Sequence, residues 1–126
     1  MARKTADVVL DAPLDYIANN ATKMIACAGE PASYTAATGS ANLAEVSVSS
    51  ADFTKSDGDI SGRKATVASK AGVSVTADGT ADHVAIVDDN TSALLYVTVA
   101  TAQTLTSGNT MDFQSWDIEF RDPSAP

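Results

Sequence analysis

The feature that most constrains this chain is the two-residue beat of apolar and polar side chains running through residues 73–121. Val73 and Val75 alternate with Ser74 and Thr76, Val84 and Ile86 keep the beat, and Trp116, Ile118 and Phe120 alternate with Asp117 and Glu119. Successive side chains of a strand point to opposite faces, so this period sends one set to a core and the other to solvent. Turn residues cut the beat into short runs: Asp78-Gly79, which reads as a hairpin turn, then Asp88-Asp89-Asn90-Thr91 and Ser107-Gly108-Asn109. The stretch is expected to be a meander of antiparallel strands joined by short turns.

Upstream the pattern is less regular. Residues 1–10 carry Arg3 and Lys4 and then the apolar triplet Val8-Val9-Leu10, which reads either as an edge strand or as an extended arm docking on a neighbour. Asp11 fits a helix N-cap and Pro13 the first turn, where its missing N–H does no harm. Leu14, Ile17, Ala18 and Ala21 fall at helical spacing, and Asn19-Asn20 weakens the run, so a short helix is expected. Strands are expected over residues 22–28, 45–49 with an extension over 52–54, 63–69, 83–87 and 94–99. Residues 32–42, small and polar with Gly39, read as a surface loop. These readings give a mainly β protein, a single antiparallel β sandwich or barrel with one short N-terminal helix: an arm over residues 1–10, one β domain over 11–122 and a tail over 123–126.

Charge narrows the function classes. Eight basic against sixteen acidic side chains leave a net charge of −8, and no Lys/Arg cluster is interleaved with aromatics, which argues against nucleic acid or an anionic membrane as partner. No apolar run reaches bilayer length and no signal-peptide core follows Arg3-Lys4, so a soluble protein made in the cytosol is expected. Cys27 is the single cysteine, which excludes an internal disulfide framework; between Ile25, Ala26 and Ala28 it reads as a small buried hydrophobe.

No catalytic set stands out. His83 is the one histidine, and no Gly-x-Ser-x-Gly elbow marks a serine to partner it, so an enzyme is not expected. Asp57 and Asp59 are the best cation-like pair, yet counting an EF-hand loop from Asp57 places Ala68 where the bidentate glutamate belongs; a solvated turn is the plainer reading, as it is for Asp88-Asp89. No metal or cofactor is expected. Asn20-Ala21-Thr22 and Asn90-Thr91-Ser92 match the N-glycosylation pattern, which arises readily by chance. Tyr34 is the one large side chain in its loop, a contact residue or one tucked onto the sheet. Trp116, Ile118 and Phe120 make the heaviest apolar face, a core strand by preference over a binding stripe.

Both ends of the chain resemble a group of small virion proteins of tailed bacteriophages. The resemblance rests on Ala6-Asp7-Val8-Val9-Leu10-Asp11-Ala12, Leu14-Asp15-Tyr16-Ile17-Ala18-Asn19-Asn20-Ala21-Thr22, Ser61-Gly62-Arg63-Lys64, Gly79-Thr80-Ala81-Asp82-His83-Val84-Ala85-Ile86-Val87, Ser107-Gly108-Asn109-Thr110 and Trp116-Asp117-Ile118. Within that class, size, β content and acidity look like a capsid decoration, or cement, protein. The resemblance implies binding to the major capsid protein on the outer surface of the virion shell, assembly as a homo-oligomer with a trimer favoured, and no nucleic-acid or membrane partner. A tail, neck or baseplate component is the alternative within the virion, and a host-surface or glycan-binding module comes next. Arg3, Lys4, Val8, Val9, Leu10 and Tyr34 are the expected partner contacts, the triplet by adding a strand to a neighbour's edge. The classes differ in what they predict: an enzyme places His83 in a concavity beside a serine or carboxylate, a glycan binder exposes Tyr34 or Trp116, and a cement protein does neither, offering flat interfaces and a protruding terminus.

Overall fold

The structure is a computed structural model that describes residues 7–58 and 62–120. It is a mainly β protein with helices α1 (Asp7–Asn20) and α2 (Tyr34–Thr38) and strands β1 (Lys23–Cys27), β2 (Asn42–Ser47), β3 (Phe53–Asp57), β4 (Arg63–Val67), β5 (Lys70–Ser74), β6 (Gly79–Asp88), β7 (Ala93–Leu105), β8 (Thr110–Phe113) and β9 (Trp116–Phe120). The strands form three antiparallel sheets, ordered β2-β1-β6-β7, β3-β4-β9 and β5-β8. No helix among the described residues is long and apolar enough to cross a membrane.

The predicted helix exists but starts earlier. Val8, Val9 and Leu10 lie in its first turns, so neither an extended arm nor an edge strand forms there, and the boundary drawn at residue 11 falls inside a helix. Pro13 is consequently interior rather than in the first turn, and having no N–H it leaves the Val9 carbonyl without its helical donor. Packing offsets that defect: Leu14, Ile17, Ala18 and Ala21 are buried at the spacing read from the sequence. Asp11 is not an N-cap; its carboxylate accepts from Arg63 Nε at 2.9 Å, and Asp15 pairs with Lys55, so one helix face is tied to β3 and β4. Asn20 Nδ2 donates to Tyr16 O at 2.8 Å where the helix stops.

The expected loop over residues 32–42 holds α2, a single turn capped by Ser33, whose hydroxyl accepts from Ala36 N, and anchored by fully buried Ala37. Small residues gave that turn no apolar period to read. The described residues thus hold two α-helices, not one.

The meander is also corrected. β6 and β7 form the expected hairpin through residues 89–92, with Ser92 at φ 53. Asp78-Gly79, however, does not fold β5 back on β6, because β5 pairs with β8 and β6 pairs with β1 and β7. Asp78 Oδ1 instead accepts from Ser107 N at 2.7 Å and so clasps the β7–β8 turn. Gly79 stands where a Cβ would meet Leu43 Cδ2 at 3.0 Å, so its role is close approach rather than turning. Residues 70–72 also belong to β5, with a register shift between Lys70 and Val73.

One apolar cluster is shared by all three sheets and α1: Leu14, Met24, Val67, Ile86, Met111 and Ile118 are among its members. The opposite face of the four-stranded sheet carries a smaller cluster of Ile25, Cys27, Ala37, Ala41, Ala85 and Val87, covered by α2. β1 and the end of β6 are therefore buried on both faces, which is why residues 85–88 lose the alternation seen elsewhere.

Candidate functional site

One concavity begins with an irregularity in a hairpin. Ala81 pairs with Gln103 and His83 with Val99, so one residue of β6 faces three of β7, and residues 100–102 form a bulge. A cleft of about 460 Å³ opens between this bulge and residues 111–117. Ala26, Ala81 and Val84 line its depth, Met111, Phe113 and Trp116 supply apolar wall, and Gln103, Asp112, Gln114 and Asp117 supply polar groups. Of its two carboxylates, Asp117 is already paired with Lys64 Nζ at 3.5 Å and accepts from Thr66 Oγ1 at 2.8 Å.

Trp116 is set by β9, whose register pairs it with Val67. Its ring stacks on Tyr96 of β7, centroids 5.9 Å apart and planes at 23°, and its Nε1 donates to Met24 Sδ at 3.4 Å. The ring is thus held by the shared core while remaining half-buried at the cleft. As the expected strand face, Ile118 is fully buried and Trp116 and Phe120 are partly so.

His83 also lines the cleft, and its Nδ1 lies 2.8 Å from Asp82 Oδ1. Asp82 Oδ1 accepts from Gly29 N at 2.7 Å as well, and these two contacts, the imidazole's first, hold its pKa below the ordinary carboxylate value. A histidine beside a carboxylate in a concavity is the marker expected of an enzyme, and a half-exposed Trp116 is that expected of a glycan binder. The nucleophile is what the geometry withholds: Ser115, the serine in the cleft, donates its hydroxyl to Val67 O at 2.8 Å rather than to imidazole. Register also puts His83 on the face of Cys27 and Val99, opposite the Val84 and Thr98 face that looks toward Trp116.

The other expected contacts scatter. Arg3 and Lys4 lie outside the described residues. Val9 is 58% exposed on α1, on the same helix face as 57% exposed Tyr16; the side chains of Val8 and Leu10 lie outside the described part. Tyr34 is not a free loop residue: it is half-buried and donates to Asp89 Oδ1 at 2.7 Å, which raises its own pKa. That hydrogen bond, with lesser help from Thr22 and Lys23, lowers the pKa of Asp89 despite partial burial. Lys23 bridges Asp89 and Glu45 at 3.4 and 2.7 Å, so β1, β2, α2 and the β6–β7 turn are stitched together on one side. Asp57 pairs with Arg63 Nη1 at 2.8 Å, Asp59 lies outside the described residues, and no cluster able to hold a metal occurs among those described. Cys27 is fully buried and its thiol is pushed up to about 11 by burial, with a smaller push from Asp82.

Sequence reasoning missed the edge. β7 runs for 13 residues, ends the four-stranded sheet, and among the described residues pairs with β6 only. Its sequence, ALLYVTVATAQTL, has no charged residue and no proline, and Val99 is 76% exposed. Soluble proteins ordinarily protect such an edge with lysines, prolines, short length or a bulge, and of these β7 carries the bulge at residues 100–102. The signal was legible in the long uncharged run between Asn90 and Asp112, but strand order is not written locally.

Compared with protein-family models, with curated proteins and with solved structures, the chain finds no match in any of the three.

Proposed function

We propose that this chain is a structural protein of a tailed-phage virion, a capsid decoration (cement) protein that binds the outer shell and stabilises it by bridging capsid subunits. The phage class rests on the sequence resemblance; the observation that makes adhesion the favoured role is the long, uncharged edge of β7. An edge of this kind exposes backbone donors and acceptors that a neighbouring chain satisfies by adding a strand, and each such contact adds to the free energy that must be overcome to separate shell subunits. The partner is the major capsid protein, the protein itself is a homo-oligomer with a trimer favoured, and it has no catalytic activity or cofactor. In this reading the four-stranded sheet and the two smaller sheets face each other across the shared core as a β sandwich, with α1 on the side of β3 and β4.

Cryo-electron microscopy of purified virions, with the protein located by antibody or tag, tests the proposal: symmetric density on the shell is expected, and density confined to tail, neck or baseplate refutes the decoration role. The arm hypothesis is also sharpened. Since Val8, Val9 and Leu10 are helical, removal of residues 1–6 is the clean truncation, and unchanged capsid occupancy would remove Arg3 and Lys4 from the interface. One observation favours a second reading, a glycan-binding module: the half-buried Trp116 stands in the same cleft as the amides of Gln103 and Gln114.

A further inference from the structure

Two neighbouring rows of side chains on the four-stranded sheet differ in size, and the difference makes the cleft. Register sets Met24, Ile86 and Tyr96 side by side across β1, β6 and β7. That row packs into the shared core and holds Trp116, which stacks on Tyr96 and donates to Met24 Sδ. Two residues along each strand, on the same face, the next row is Ala26, Val84 and Thr98. These shorter side chains leave space facing residues 111–117 unfilled, and that space is the cleft of about 460 Å³. We propose that the cleft binds a neutral sugar ring, its apolar face against Trp116 and its hydroxyls hydrogen-bonded by Thr98 and Gln103. This deepens the glycan-binding reading above and rests on it.

Three observations select that class of ligand. The volume falls within the range of about 300–1,000 Å³ usual for small-molecule sites, and the indole is already fixed by Tyr96 and Met24, so little order has to be created on binding. The polar groups on the cleft face are neutral and unspent. Gln103 pairs with Ala81 of the shared core and stands two residues before buried Leu105, so it shares the face of Thr98, and neither side chain makes a hydrogen bond among the described residues. A hydroxyl and an amide both donate and accept, as sugar hydroxyls do. The charges nearby, by contrast, are engaged or turned away. Asp117 is held by Thr66 and Lys64, and Asp112 Oδ1 accepts from Gly72 N at 2.9 Å. Alternation along β8 and β9 sets both carboxylates opposite Met111, Phe113 and Trp116, while His83 is paired with Asp82 on the face opposite Val84. No Lys or Arg lines the cleft, so an acidic sugar would lose hydration there without gaining a counter-charge.

The test uses the full chain and four neutral probes, maltoheptaose, chitohexaose, mannohexaose and galactobiose, with hexagalacturonate as charged comparator and indole as apolar comparator. Trp116 is the sole tryptophan, so its fluorescence reports on the cleft, and amide NMR shifts locate binding on the fold. At least one neutral probe is expected to change Trp116 fluorescence, to shift amides of Thr98, Gln103 and residues 113–116, and to bind about tenfold or more tighter than hexagalacturonate. Thr98→Val and Gln103→Met keep side-chain bulk at positions that are not buried and remove the hydrogen-bonding group, so each is expected to weaken that probe about twofold to tenfold. Indole that binds tighter than every saccharide, with affinity unchanged or improved in both variants, makes the cleft an apolar pocket and overturns the proposal. Neutral probes that shift amides only on other surfaces, or hexagalacturonate that enters the cleft as tightly, also overturn it while glycan binding stands. No binding by any saccharide sinks the glycan-binding reading together with it.

Discussion

Asp88 is the one fully buried charged side chain among the described residues, at 1% exposure, and its removal is a quantitative test of how the β6–β7 hairpin is held. Its Oδ1 accepts from Asn90 N and its Oδ2 from Thr91 Oγ1, each at 2.9 Å, so one carboxylate closes the turn from inside. A hydrogen bond to a charged group contributes about 1.5–3 kcal/mol. Both donors are on exposed residues and recover water when the carboxylate is gone, which puts Asp88→Ala near the lower end for the pair, about 2–3 kcal/mol. Asp88→Asn keeps an acceptor for Asn90 N and offers Thr91 a donor, so it is expected to cost about 1 kcal/mol. Urea denaturation with an unchanged slope measures both. With an unfolding entropy of roughly 2.1 cal/mol/K per residue, a chain of this length loses about 9 °C in Tm for Asp88→Ala and about 4 °C for Asp88→Asn. The reasoning is refuted if Asp88→Ala changes stability by less than about 0.5 kcal/mol, or if the two substitutions cost the same, since then the hydrogen-bond geometry is not what holds the turn.

Tyr34→Phe removes the first cause of the depressed Asp89 pKa, so the Asp89 carboxyl resonance is expected to titrate at higher pH than in the wild-type chain; an unmoved titration assigns the shift elsewhere. Because a carboxylate whose folded pKa is depressed contributes stability above its unfolded pKa and loses it as pH falls through the folded value, Asp89, Asp82 and Asp52 together predict stability that declines below the ordinary carboxylate range, and a stability flat through that range contradicts them. Cys27, with its thiol at about 11 and no exposed surface, is expected to resist iodoacetamide at pH 8 until the chain unfolds; rapid native labelling would show that the smaller core opens locally. Ile118→Ala, at a fully buried position of the shared core, is expected to cost about 3–4 kcal/mol, and a cost below 1 kcal/mol would mean that the sheets close over the cavity.

Local pattern was legible wherever it is set by neighbours a few residues apart. The period of two at Val73 and Val75 and at Trp116, Ile118 and Phe120, and the helical spacing of Leu14, Ile17, Ala18 and Ala21, were visible because each residue's direction follows from its own backbone. The start of α1 was misread because Pro13 is a stronger local signal for a first turn than the packing that carries the helix through it. The same limit applied to the site: Met111 and Trp116 lie outside β7 in sequence, and only the fold brings them into one cleft with residues 98–101.

By itself, then, the sequence determined that this chain is mainly β, acidic, without an internal disulfide and built around a strand carrying Trp116, Ile118 and Phe120, since composition and short-range period are properties of the chain. Tertiary structure alone decided that β5 pairs with β8, that Asp78 clasps Ser107 rather than turning a hairpin, and that β7 ends a sheet. Strand partners are chosen by which faces bury together across scores of residues, and no local pattern encodes that choice. The long uncharged edge of β7, on which the adhesive reading rests, is a product of that long-range choice.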